Sequence, residues 1–209
     1  MMVYDVGQNP RGRENGEMKR YLLLAMVAMV TVAMLLSGCD NTTAQANALI
    51  GQADAHMKQS IALSDEAATL EQDLNNLDGS PASAARGLDL IAQVKAKLAQ
   101  QKIEMDGAKQ AYAGVDKIGV KPQVKKYAKL EAAVIDIGIA RNAEYVKLYD
   151  AMAVMFTGIR DNNATEKQTA DFLTVSDALT AKIDELTKAA NQASDDAVAY
   201  YKADVAPKK

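Results

Sequence analysis

The chain has 209 residues, 24 Lys and Arg against 27 Asp and Glu, a formal net charge of −3, one cysteine, one histidine and no tryptophan. That balance argues against a nucleic-acid partner. A lone cysteine removes internal disulfides as a source of stability, and a lone histidine removes zinc or di-iron sites built on several. Only 5% of the residues are aromatic while alanine recurs throughout, which suits close-packed helices and disfavours a β-sandwich.

In chain order, residues 1–17 are polar, rich in Gly, Pro and Asn, and show no apolar periodicity. Met18-Lys19-Arg20 makes a better start, so the sequence predicts that translation begins at Met18; a genuinely long amino-terminal region is the alternative. Tyr21 to Leu36, "YLLLAMVAMVTVAMLL", is uncharged and directly follows Lys19 and Arg20. A basic stretch, an apolar run and small residues at its exit form a secretory signal. The run falls short of the roughly 20 apolar residues that span a bilayer.

Leu36-Ser37-Gly38-Cys39 ends this run. It resembles the lipobox of bacterial lipoproteins: a Leu, a small residue, Gly or Ala, then Cys. The resemblance implies that residues 1–38 are a cleaved signal peptide and that the Cys39 thiol carries a diacylglyceryl group. It also implies a second acyl chain, such as palmitate, on the new amino terminus. It covers only the beginning of the chain. Its consequence is a membrane-lipid partner through acylated Cys39, on the extracytoplasmic face of the cell membrane. In a two-membrane organism Asp40 resembles the residue that retains such proteins at the inner membrane.

The leader carries four cations against three acids, so its removal leaves a net charge of about −4. The remainder divides at three turn clusters, "LDGSP" at Leu77 to Pro81, "GVDKIGVKP" at Gly114 to Pro122 and "RDNNAT" at Arg160 to Thr165. Thr42 with Gln45 and Thr165 with Gln168 fit reciprocal capping boxes, while Ser80-Pro81 and Pro122 mark helix starts. Heptad rows run through each segment. They are Ala46, Ala53, Ser60, Ala67 and Leu74, with Leu49, His56, Leu63 and Leu70 alongside; Ala84, Ile91, Leu98, Met105 and Tyr112; Tyr127, Val134, Arg141, Leu148 and Met155; and Phe172, Leu179, Leu186, Ala193 and Tyr200. These predict an all-α, elongated, antiparallel up-down four-helix bundle with coiled-coil-like seams. The expected division is a tether at residues 39–45, the bundle at residues 46–205 and a basic tail at residues 206–209.

Short connections bring the second connection and the carboxyl terminus back to the anchored end. That end gathers Lys117, Lys121, Lys125, Lys126 and Lys129, predicted to meet lipid headgroups, with Tyr112, Tyr127, Tyr200 and Tyr201 as interfacial aromatics.

Motifs for chemistry are missing from the sequence. Phosphate-binding glycine loops, haem-attachment motifs and a nucleophile elbow do not occur, so no enzymatic activity and no cofactor are predicted. His56 is read as a hydrogen-bonded residue at the seam edge; the alternative is a haem or copper ligand with Met57, Met105 or Met152. Arg141 and Glu144 occupy seam positions and are expected to pair, at the level of Ser60 and Ser64. That layer either fixes helix register or holds a small polar ligand. The sequence therefore predicts a non-enzymatic binding or scaffolding bundle with an unidentified protein partner. The alternative is a bundle binding a small ligand, haem or metal through the Arg141/Glu144 layer or His56.

Overall fold

A computed structural model describes residues 41–206. The signal segment 1–38, the start at Met18, the lipobox with Cys39, and Lys208 and Lys209 lie outside the described residues. Four helices follow one another: α1 (Asn41–Asn75), α2 (Pro81–Asp116), α3 (Pro122–Arg160) and α4 (Glu166–Tyr200). A turn of π-helix, Tyr201–Val205, closes the described chain. With 35, 36, 39 and 35 residues, the helices are about 52 to 58 Å long at 1.5 Å per residue.

The helix ends follow the chemistry of their sequences. Ser80 Oγ accepts from the Ser83 amide at 3.2 Å ahead of Pro81, where the missing proline N–H costs nothing. Thr165 and Gln168 form the reciprocal capping box: the Gln168 amide donates to Thr165 Oγ1 at 3.2 Å, and the Thr165 amide donates to Gln168 Oε1 at 2.8 Å. At the other end of the chain the expectation changes. Residues 41–45, read as tether, are already helical, and Thr42 and Gln45 lie inside the first turns of α1.

Connections at residues 76–80, 117–121 and 161–165 are each about one turn long, so successive helices run antiparallel. The second connection lies beside the start of α1: a Cβ built on Gly119 would stand 3.9 Å from Thr42 Cγ2. This shared end is called the lower end below.

Two apolar clusters fill the bundle. The lower one joins Ile50 and Met57 of α1, Met105 and Val115 of α2, and Val124 and Ile135 of α3. The upper one joins Leu74, Ile91, Leu98, Tyr149 and Phe156. Helices adjacent in sequence pack along their lengths.

α4 departs from its expected row. Its buried residues are Ile183, Thr187, Ser194 and Ala197, whereas Phe172, Leu179, Leu186, Ala193 and Tyr200 are only half-buried. The buried positions 187, 194 and 197 carry small side chains and lie in the lower half of α4. Between residues 166 and 182 α4 buries nothing fully, and Leu173 and Val175 are exposed.

Close approach between α2 and α3 rests on Gly87. A Cβ there would fall 2.3 Å from Phe156 Cε1, so the ring fills the space that any other residue would claim. Gly87→Ala should therefore destabilise the bundle by about 1 to 3 kcal/mol through overpacking. Gly51, with nothing within 4 Å of its built Cβ, should gain up to about 1 kcal/mol on substitution by Ala from helix propensity alone. Urea midpoints of the two variants should move in opposite directions; the same sign for both would contradict the packing at Gly87.

Candidate functional site

The polar groups inside the bundle form two sets. The lower set lies among α1, α2 and α3, where Asp54, Tyr112, Tyr127 and Glu131 are respectively 6, 1, 2 and 1% exposed. Tyr112 faces Asp54 and Tyr127, and Tyr127 faces Glu131, so the four side chains make a continuous path from α1 to α3. The Tyr201 ring packs against Tyr127 from below, with centroids 5.3 Å apart at 52°. Asp54 Oδ2, Tyr112 OH and Glu131 Oε2 are buried and reach no hydrogen-bond partner. Facing one another is therefore not the same as being satisfied: the phenols and carboxyls adjoin without completing the bonds their burial calls for.

Burial pushes both carboxyls up. Asp54 rises from 3.8 to about 6, mainly by desolvation, against the smaller pull of the Lys58 charge and the Tyr112 hydroxyl. Glu131 rises from 4.5 to about 7, again by desolvation first, with Tyr127 lowering it and the Asp54 charge raising it further. Desolvation, then neighbouring carboxylate charge, raises both phenols, so Tyr112 and Tyr127 stay protonated. Near neutral pH the pair consequently retains protons that exposed carboxyls would have lost. Its titration belongs to the pair rather than to either residue.

The middle set spans the same three helices halfway up. Gln101 Nε2 donates to the Ser60 carbonyl at 3.3 Å, and Asn142 Nδ2 donates to the Leu98 carbonyl at 3.0 Å and to Gln101 Oε1 at 2.9 Å. Ser60 is fully buried, and its Oγ has no partner. Such a layer tolerates one axial alignment of the helices, because a shift strands its amides. Arg141, next to Asn142, is 9% exposed.

Several residues singled out in the sequence fall differently from expectation. Glu144 does not pair with Arg141; its Oε1 takes Lys147 Nζ at 2.8 Å. Lys147 lies on the solvent side, where a long flexible chain reaches the carboxylate, while Arg141 turns inward. Ser64 is half-buried on α1, close in sequence to the layer that holds Ser60. Tyr112 and Tyr127 belong to the core and not to a lipid-facing belt. Of the lysine group, Lys125 donates to the Asp116 carbonyl at 2.6 Å, Lys129 pairs with the Asp116 carboxylate at 3.0 Å, and Lys126 lies 4.5 Å from the Tyr200 ring centroid. These contacts offset the unfavourable placement of lysines at a helix start. Lys117 and Lys121 are exposed on the connection itself.

His56 Nδ1 meets Glu104 Oε2 at 2.7 Å, tying α1 to α2. The imidazole lies against the α2 backbone at Gly107, where a built Cβ would stand 2.7 Å from Cε1 and 2.8 Å from Nε2. Among the described residues no three His, Cys, Asp or Glu side chains converge to hold a metal ion. No described helix is long and apolar enough to cross a membrane.

Sequence reasoning missed Asp54, Gln101, Glu131 and Asn142. A signal for them existed in the neighbouring heptad rows. Gln101 falls between Val94, Ala108 and Val115, Asn142 between Ile135 and Tyr149, and Glu131 seven residues after Val124. Comparison with known proteins adds nothing further: no family model, curated protein or solved structure matches this chain.

Both carboxyls have folded values above their unfolded ones, so folding takes up protons. That contribution to stability is fully present below about pH 4 and is lost as the pH rises through about 6 and 7. Urea unfolding should accordingly show a higher midpoint at pH 5 than at pH 8. Asp54→Asn with Glu131→Gln should flatten the difference and raise the midpoint at pH 8. A wild-type midpoint higher at pH 8 than at pH 5 would contradict proton retention in the lower core.

Proposed function

We propose that this chain is an extracytoplasmic lipoprotein, anchored through acylated Cys39, whose four-helix bundle is a non-enzymatic binding or scaffolding module. The lipobox run Leu36-Ser37-Gly38-Cys39, directly after a charge-free apolar segment, carries the reading. The fold supports it in one respect. α1 is already helical at Asn41, and its start adjoins the second connection, so a lipid on Cys39 would hold the lower end of the bundle against the bilayer.

In that orientation Lys117 and Lys121 face anionic headgroups, each attracted by roughly 1 kcal/mol. Lys125, Lys126 and Lys129 contribute less, because each is engaged within the protein. The upper end projects about 50 Å from the surface by helix rise alone. Exposed Val154, Leu173 and Val175, 65, 56 and 44% accessible, offer apolar contact to a protein partner there. Of the ligand-binding alternatives, the geometry at His56 gives least support to haem or metal, since Nδ1 is taken by Glu104 and the ring is pressed on Gly107.

Labelled palmitate should enter the protein, and Cys39→Ser should abolish labelling and release the chain from the membrane fraction. If the serine variant remains equally membrane-bound, the apolar run is an uncleaved anchor and the lipoprotein reading fails.

A further inference from the structure

Between α3 and α4 the chain reads Asp161-Asn162-Asn163-Ala164-Thr165. Asn163 and Thr165, separated by one residue that is not proline, form the Asn-x-Thr pattern of an N-glycan acceptor. The spacing has a chemical reason: the hydroxyl two residues on is what a transferase grips while it works on the asparagine amide. Bacterial transferases also favour an acidic residue two positions before the asparagine, and Asp161 stands there.

The fold presents this stretch as such an acceptor must be presented. Just past the end of α3, Asn162 turns the chain in the left-handed region, with φ of 52°. The Asn163 and Ala164 amides both donate to the Gly158 carbonyl at 3.0 Å, which ties down the backbone of the turn. Ala164 lies against Gly158, where a built Cβ would stand 3.3 Å from Ala164 Cα. Asn163 is exposed, and its carboxamide makes no hydrogen bond among the described residues. That freedom matters, because an amide nitrogen shares its lone pair with the carbonyl and must be twisted to attack. The Asp161 carboxylate is exposed as well, held by Arg160 at 2.7 and 3.1 Å. Thr165 Oγ1 is engaged in the α4 cap, yet residues 161–171 are all exposed, so opening the first turn disturbs no packing. A second Asn-x-Thr, Asn41-Thr42-Thr43, lacks these features. It lies in the first turn of α1, Thr43 is half-buried, and Cys39 rather than an acid precedes Asn41 by two.

We propose that Asn163 is an N-glycosylation site, modified by transfer of an oligosaccharide from a polyprenyl-pyrophosphate donor. The bond from Asn163 Nδ2 to the anomeric carbon forms as that carbon's bond to the pyrophosphate oxygen breaks. Polyprenyl pyrophosphate leaves, the amide gives up one proton to a base of the transferase, and nothing is oxidised or reduced. The glycan stands at the upper end of the bundle, the end remote from Cys39, where its bulk meets water and not the bilayer. The site rests on the extracytoplasmic half of the reading above and is independent of the lipid anchor.

Trypsin isolates the site, since cleavage after Arg160 and Lys167 releases residues 161–167 as one peptide. The test is mass spectrometry of that peptide from the chain purified out of its own cells' membranes, with palmitate labelling read on the same sample. The peptide should carry an oligosaccharide, and fragmentation should place it on Asn163. Asn163→Gln and Thr165→Val should abolish the added mass, Thr165→Ser should keep it, and Asp161→Asn should lower the fraction of chains modified. Gln168→Ala breaks the same helix cap without touching the acceptor pattern and should keep the glycan, which separates recognition of Thr165 from its structural role. An unmodified peptide from palmitate-labelled chain would overturn the proposal and leave the anchor standing. A glycan lost in Gln168→Ala, surviving in Thr165→Val or found on Asn41 instead would overturn it too. A glycan on Asn163 without palmitate on the chain would support the site and sink the anchor, and the absence of both would sink both.

Discussion

Two carboxyl groups, Asp54 of α1 and Glu131 of α3, are buried together in the lower core without a basic side chain between them. An ionised pair in that position would meet both desolvation and mutual repulsion, and the surrounding Ile50, Met57 and Ile135 offer no compensation. Protonation relieves the conflict. A neutral carboxyl avoids the desolvation of a charge, and a proton on either member removes its repulsion of the other across the two tyrosines. The lower core therefore favours the protonated carboxyls over the ionised pair.

Above this cluster the constraint is of a different kind. The Ser60, Gln101 and Asn142 layer contains no charge and satisfies its amides internally, so it fixes axial alignment at all ordinary pH values. The upper cluster around Tyr149 and Phe156 is apolar and draws its members from α1, α2 and α3. α4 supplies none of them, which leaves its upper half as a flank of the bundle with Leu173 and Val175 exposed. The bundle thus passes from a proton-dependent end, through a neutral register layer, to a three-helix core with an attached fourth helix.

The helices were legible in the sequence because capping residues, prolines and turn clusters mark their ends locally. Ser80, Thr165, Pro81 and Pro122 each act within one turn of the position they specify. The rows Ala46 to Leu74 and Ala84 to Tyr112 were legible because every member is buried. The polar interior was hidden because a helix inside a bundle buries more than one heptad row, and a single seven-residue row samples only part of that face. Asp54 and Glu131 look like surface charges unless the apolar residues three and four positions away are weighed with them. Arg141 was found by its row, but the pairing expected with Glu144 does not form. Pairing at three residues' separation depends on which way each side chain turns, and Lys147 competes for Glu144 from the solvent side. The anchor is the reverse case: its signal is wholly local, at Leu36 to Cys39, and needs no tertiary information.

The central claim, that the lower core retains protons near neutral pH, is tested most directly by carbon-13 NMR of the side-chain carboxyls across a pH titration. Asp54 and Glu131 should show coupled transitions with apparent midpoints near 6 and 7, each signal reporting both steps. Two independent transitions at or below about 4.5, the range of exposed carboxyls, would contradict it.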